Sequence, residues 1–192
     1  MNSKNSIQKM TIAAALSAIG IVIPMFAPKL ILEPASYTLA SHVPVFIAMF
    51  ISPYVAISVA LISALGFLLA GIYPIAVVLR ALSHIVFVVI GSFMLKRNPK
   101  LLSTMKGSVL FGLLMAVIHS ISEVMVVTLF YWGNHMSSVY YDKGYLTSVI
   151  LLVGVGTIIH SMIDFSIACM VWKPVQRMIT IPVSVGGRRA GA

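Results

Sequence analysis

The stretch IAVVLRALSHIVFVVIGSFML, residues 75–95, followed at once by KRNPK, residues 96–100, decides the fold. Its length matches the roughly 20 apolar residues that a helix needs to cross a bilayer, and it stops where a proline and a dense basic cluster begin. Outward from this run the rest of the chain has the same character. Of its 192 residues 60% are hydrophobic and 9% charged, and the mean hydropathy is +1.06. That leaves too little polar surface to coat a globule in water, so a lipid bilayer has to serve as the solvent.

Further apolar runs predict helices at about 7–26, 39–52, 54–70, 107–131 and 146–172. The chain therefore reads as an all-α membrane protein, a compact bundle of six transmembrane helices forming a single domain over 1–192, with 173–192 as a cytoplasmic tail. The first run follows Lys4 and Lys9 and resembles an export signal, but Ala13, Ala14, Ala15 and Ala18 fall in mid-run rather than at its end, so it is expected to stay uncleaved. Pro24 and Pro28 end it, and residues 29–41, with Glu33-Pro34, read as a partly polar loop. The second run is short for a span. It is expected to be tilted, or completed by irregular backbone buried in protein.

Basic residues accumulate on the cytoplasmic side of a membrane. With six spans and the N-terminus inside, the inner set is Lys4, Lys9, Lys96, Arg97, Lys100, Lys106, Lys173, Arg177, Arg188 and Arg189, against Lys29 and Lys143 outside. Both termini are thus expected in the cytoplasm. The formal charge of +9 is spent on topology, and no nucleic-acid partner is expected. The single Cys169 excludes an internal disulfide.

Ionisable side chains inside the hydrocarbon region cost roughly 3 kcal/mol on insertion scales, so each needs a partner or a purpose. Arg80 and His84 lie one turn apart on the fourth run, as do His119 and Glu123 on the fifth and His160 and Asp164 on the sixth. At about 1.5 Å per residue, Glu123 lies deep enough to meet Arg80 or His84, whereas Asp164 is expected nearer the cytoplasmic side. Two readings stand for the outer group. Arg80 offers a guanidinium to an anionic or planar ligand, with His84 or Glu123 orienting it; or Arg80 and Glu123 neutralise each other and hold helices together. Structural packing is the expectation for His160 and Asp164. Tyr131, Trp132 and Asn134 sit above Glu123, either as an interfacial belt or as a cap on a small heterocyclic ligand. Ala14 and Ala18 form a small-xxx-small pattern that lets another helix approach closely.

One bundle of this size, the Ala14-xxx-Ala18 pattern, a structured outer loop after the first helix and the polar outer half make the chain resemble a substrate-binding S component of an energy-coupling factor vitamin transporter. The stretch LEPASYTLASHVP, residues 32–44, continuing into FIAMFISP, residues 46–53, is similar to the niacin branch. Hydroxymethylpyrimidine and pantothenate are alternative substrates. The resemblance spans about residues 7–172. It implies a protein that captures a water-soluble vitamin from outside with Arg80, His84, Glu123, Tyr131, Trp132 and Asn134, under a lid at about 28–41. It further implies a transmembrane coupling protein (T component), which docks on Ala14 and Ala18, and two cytoplasmic ATPases, with the S component toppling in the bilayer to deliver its load. No GxxxxGK[ST] phosphate loop occurs here, so ATP hydrolysis belongs to partners. No catalytic residue, cofactor or metal is expected.

An intramembrane metal-dependent hydrolase is the enzyme alternative, because His119-Glu123 and His160-Asp164 have the spacing of metal-ligand pairs. The paired-glutamate element of the prenyl-protein-processing membrane proteases is missing, since Glu33, Glu123, Asp142 and Asp164 are the only acids and no two are adjacent. A structural assembly subunit is the third class, and it would bind no small molecule.

Overall fold

The computed structural model describes residues 3–178, with side chains from 6 to 176, and is mostly helical. The side chains of Lys4 and Arg177, together with Arg188, Arg189 and the tail past 178, lie outside the described residues. Among the described residues five helices are long and apolar enough to cross a membrane: within α1 (Ser3–Phe26) the segment Ser6–Phe26, then α3 (Pro53–Ala70), α4 (Ile75–Arg97), α5 (Met105–Trp132) and the segment Leu146–Gln176. The last of these begins as π-helical turns over Leu146–Val155 and continues as α7 (Gly156–Met178), with the short α6 (Ser138–Asp142) before it.

The second apolar run forms a helix, α2, only over Val43–Ile51. Nine residues rise about 13 Å, less than half of a hydrocarbon layer. All nine are buried, and α2 packs against α1, α3, α4 and α7, so it is a central post around which the longer helices stand. Pro44 suits its first turn, where an amide has no partner within the helix. Ser52, in an extended conformation, ends α2 and starts α3 by accepting the Val55 amide on its Oγ at 3.3 Å.

Residues 29–41, read from sequence as a partly polar loop, contain a β-hairpin. Strands β1 (Lys29–Leu32) and β2 (Ala35–Thr38) pair antiparallel about Glu33-Pro34, with Leu32 opposite Ala35 and Lys29 opposite Thr38. Ala35 and Tyr37 face inward and Ser36 outward, the period of two that a half-buried strand requires. β1 is exposed throughout.

Below the hairpin the core is aromatic and sulfur-rich. Phe46 and Phe50 of α2 meet Phe165 of α7 edge-on at 5.3 and 6.1 Å, and Phe50 meets Trp172 at 5.7 Å. Glycine permits the closest approaches, since a Cβ on Gly112 would stand 2.6 Å from the Phe165 ring and one on Gly91 2.4 Å from the Met49 sulfur. This is how helices pack where lipid provides no hydrophobic drive between them.

Candidate functional site

Four elements bring polar side chains together above the aromatic core. Arg80 and His84 share a face of α4, and His119 and Glu123 a face of α5. Thr157, His160, Ser161 and Asp164 line α7, and His42 stands at the head of α2. Glu123 is 4% exposed and His119 fully buried. Arg80 Nη2 donates to Glu123 Oε2 at 2.8 Å, and Thr157 Oγ1 donates to the same oxygen at 2.7 Å. The other carboxylate oxygen, Oε1, faces His119 Nε2 at 3.4 Å and His84 Nε2 at 3.6 Å. Glu123 is buried and Arg80 half-buried, and each charge has the opposite one beside it, which a charge taken out of water requires.

Asp164 performs a second task. Its Oδ1 accepts the Ala40 amide at 2.8 Å, and its Oδ2 accepts the His42 amide at 2.9 Å. Ala40 lies in the left-handed region, with φ of 65°, so the chain between β2 and α2 is non-helical and its amides have no helical partner. Backbone of this kind is tolerated at membrane depth only when protein satisfies it, and the carboxylate does so. His42 Nδ1 is also 3.1 Å from Asp164 Oδ2, and His160 Nε2 is 3.1 Å from Ser41 Oγ.

His160 and Asp164 therefore adjoin the Arg80–Glu123 group, contrary to the expectation that they lie apart and deeper. The ring of His42 bridges the two groups, 4.9 Å from His84, 4.7 Å from His119 and 5.0 Å from His160. Counting 1.5 Å per residue down a regular helix fails for two reasons. The π-helical turns at Leu146–Val155 change the rise and phase of α7, and α2 begins inside the bundle rather than at its edge. The π turns also leave carbonyls open to side chains, so the Leu152 carbonyl accepts the Tyr37 hydroxyl and the Gly154 carbonyl accepts Ser120 Oγ at 2.7 Å. Burial holds the Tyr37 hydroxyl at about 12, so it stays a donor. Through Tyr37 the hairpin closes over His160, whose ring centroid is 5.4 Å away.

Of the residues singled out from sequence, Arg80, His84 and Glu123 converge. Tyr131, Trp132 and Asn134 do not join them. The Tyr131 ring lies tilted 4.8 Å from Tyr141 and edge-on 5.3 Å from Tyr145, Trp132 is 71% exposed, and Asn134 takes a left-handed turn with φ of 59° just beyond α5. Among the described residues no hydrogen bond or ring contact links these three to Glu123, and an interfacial aromatic belt describes their surroundings. His42, Thr157, Ser161 and Tyr37 were not singled out as site residues. The sequence did hold a signal for His42, a polar Ser41-His42 pair at the head of a wholly apolar run. Ala14 and Ala18 are exposed along α1, beside exposed Ile19 and Val22.

A half-buried guanidinium, two carboxylates and four imidazoles, walled by apolar helices and closed by a hairpin, give this multi-pass membrane protein an internal polar cluster. The chain is 39% identical over 166 residues, 86% of its length and 73% of that protein's, to the niacin transporter NiaX of Lactococcus lactis subsp. cremoris (strain MG1363). It belongs to that family, the niacin-type S components of energy-coupling factor vitamin transporters, and is a protein of the cell membrane. No family model matches the chain, and no solved structure matches it.

Proposed function

We propose that this protein captures niacin, pyridine-3-carboxylate, from outside the cell and releases it inward when driven by a coupling protein and two ATPases. The observation that carries this reading is Arg80. Its Nη2 is engaged by Glu123 while its buried Nε has no hydrogen-bond partner, so one edge of the guanidinium remains to receive a carboxylate. A planar carboxylate fits that edge in the way guanidinium favours. The imidazole of His84, one turn from Arg80 on α4, is of a size to pack against a pyridine ring. Tyr131 and Trp132, with the Asn134 turn, form the outer mouth.

In this reading the chain is one membrane domain making six passes. The turn at 39–42 and α2 together complete the second pass, which places both termini and the tail from 173 in the cytoplasm. Exposed Ala14 and Ala18 on α1 dock the coupling protein. Isothermal titration of the purified full-length protein with nicotinate, nicotinamide, hydroxymethylpyrimidine and pantothenate tests the substrate. Nicotinate is expected to bind tightly without ATP, and Arg80→Ala to abolish binding. An absence of binding across the panel would overturn the proposal, and unchanged affinity in Arg80→Ala would return Arg80 to a structural role. Ala14→Trp with Ala18→Trp should leave affinity intact yet abolish co-purification with the ATPases. Normal co-purification would reject the docking face.

A further inference from the structure

Glu123 uses its two oxygens for different ends. Oε2 is fixed by Arg80 and Thr157 through hydrogen bonds of 2.8 and 2.7 Å. Oε1 is turned toward two ring nitrogens, His119 Nε2 at 3.4 Å and His84 Nε2 at 3.6 Å. Both separations exceed the roughly 2.7–2.9 Å of a charge-assisted hydrogen bond. His119 Nε2 is buried with no hydrogen-bond partner, in a residue with no exposed surface. The distances instead suit ligands of one metal ion, because two donors each about 2.0–2.1 Å from a tetrahedral ion stand about 3.3 Å apart.

A fourth donor is in place. His42 Nδ1 faces Asp164 Oδ2 at 3.1 Å, the carboxylate contact that in metal sites fixes an imidazole's tautomer and leaves its other nitrogen to coordinate. His119 is braced likewise, its Nδ1 lying 3.4 Å from Ser161 Oγ. One donor atom each from His42, His84, His119 and Glu123 falls within 4.8 Å of the others. Three imidazoles and one carboxylate favour a borderline divalent ion over Ca2+ or Mg2+, which prefer oxygen.

We propose that His42, His84, His119 and Glu123 bind a single divalent transition-metal ion, Zn2+ or its analogues Co2+ and Ni2+, with Asp164, Ser161, Arg80 and Thr157 orienting the ligands. The site is distinct from the open Nε edge of Arg80, and metal binding does not depend on the niacin reading. Where that reading holds the two are complementary. With neutral imidazoles, Arg80, Glu123 and Asp164 sum to −1, and a divalent ion plus one carboxylate solute brings the sum to zero.

The test uses full-length protein in detergent, purified through a histidine-free tag and stripped with chelator, with no vitamin present. After Zn2+ loading and gel filtration, elemental analysis should find one Zn2+ per chain. Co2+ titration should give the intense visible bands of a four-coordinate ion. His119→Ala and, separately, His84→Asn should each lose the stoichiometric metal, whichever stays monodisperse deciding the matter. Asp164→Asn should keep the stoichiometry but bind about 10- to 100-fold more weakly. Substoichiometric Zn2+, a weak six-coordinate Co2+ spectrum, or full binding retained in the histidine variants would overturn the site.

Discussion

Replacing Asp164 probes the joint between the hairpin and the bundle. Its two oxygens accept the Ala40 and His42 amides at 2.8 and 2.9 Å, and no other hydrogen bond from those amides is formed among the described residues. Asp164→Ala strands both amides in a dry interior at about 1–3 kcal/mol each, about 2–6 kcal/mol in all. Asp164→Asn keeps one acceptor oxygen but turns an NH2 toward the other amide, so about half of that cost is expected. The measurement is reversible unfolding in mixed micelles of rising SDS fraction, followed by tryptophan fluorescence, which fully buried Trp172 reports. The expected order of stability is wild type, then Asn, then Ala. An Asp164→Ala protein within about 0.5 kcal/mol of wild type would refute the claim that this carboxylate supports the turn, since changes of that size are typical of inert surface positions.

Gly112→Val should destabilise the protein by about 1–3 kcal/mol in the same assay, because its Cβ alone would stand 2.6 Å from the buried Phe165 ring; a neutral effect would mean that α5 and α7 are less closely apposed. Tyr37→Phe removes the hydroxyl that donates to the Leu152 carbonyl and should cost about 0.5–1.5 kcal/mol near pH 7. The pH dependence has a definite sign. Burial raises the folded Tyr37 hydroxyl from 10.0 to about 12, so its contribution is fully present below pH 10 and is lost as pH rises toward 12. Wild type minus Tyr37→Phe stability should decline over that window, and a flat difference would exclude the buried hydroxyl. Arg80→Lys should weaken nicotinate binding by at least about 10-fold in titration calorimetry, since a single ammonium cannot offer the planar fork.

Helix count and site membership differed in how far the sequence exposed them. The long helices announce themselves by apolar length, and the basic loop at 96–100 by its charge. The hairpin has a weaker signal, because its exposed β1 is KLIL, a lysine followed by three apolar residues that do not alternate with polar ones. Arg80, His84 and Glu123 were legible because ionisable groups in apolar runs are conspicuous and i,i+4 spacing fixes their faces. His42 was hidden because it belongs to no such pair, and its position depends on where α2 starts. Regular helical rise puts Asp164 too deep because a π-helical stretch, which composition does not reveal, precedes it. Trp132 and Asn134 show the converse, being close to Glu123 in sequence but carried away from it by the remaining turns of α5.

The bonds of the hairpin and of the turn after it are distributed unevenly over the bundle. Tyr37 holds to the Leu152 carbonyl, the Ala40 and His42 amides to Asp164, and Ser41 to His160. The tip is held as well, with Lys143 Nζ donating to the Glu33 carbonyl. All of these partners lie on the last spanning segment or the connection before it. Arg80 and Glu123 stand on α4 and α5, to which the hairpin makes no hydrogen bond among the described residues. The last span is itself joined to α5, by Ser120 Oγ donating to the Gly154 carbonyl at 2.7 Å and Thr157 Oγ1 donating to Glu123 at 2.7 Å, so the hairpin reaches α5 only through that span. The half-length α2 completes the linkage. By starting inside the bundle, it places the turn before it against Asp164 and the His42 ring 4.9 Å from His84 and 4.7 Å from His119, so the anchor of the hairpin and the group around Glu123 meet at one imidazole.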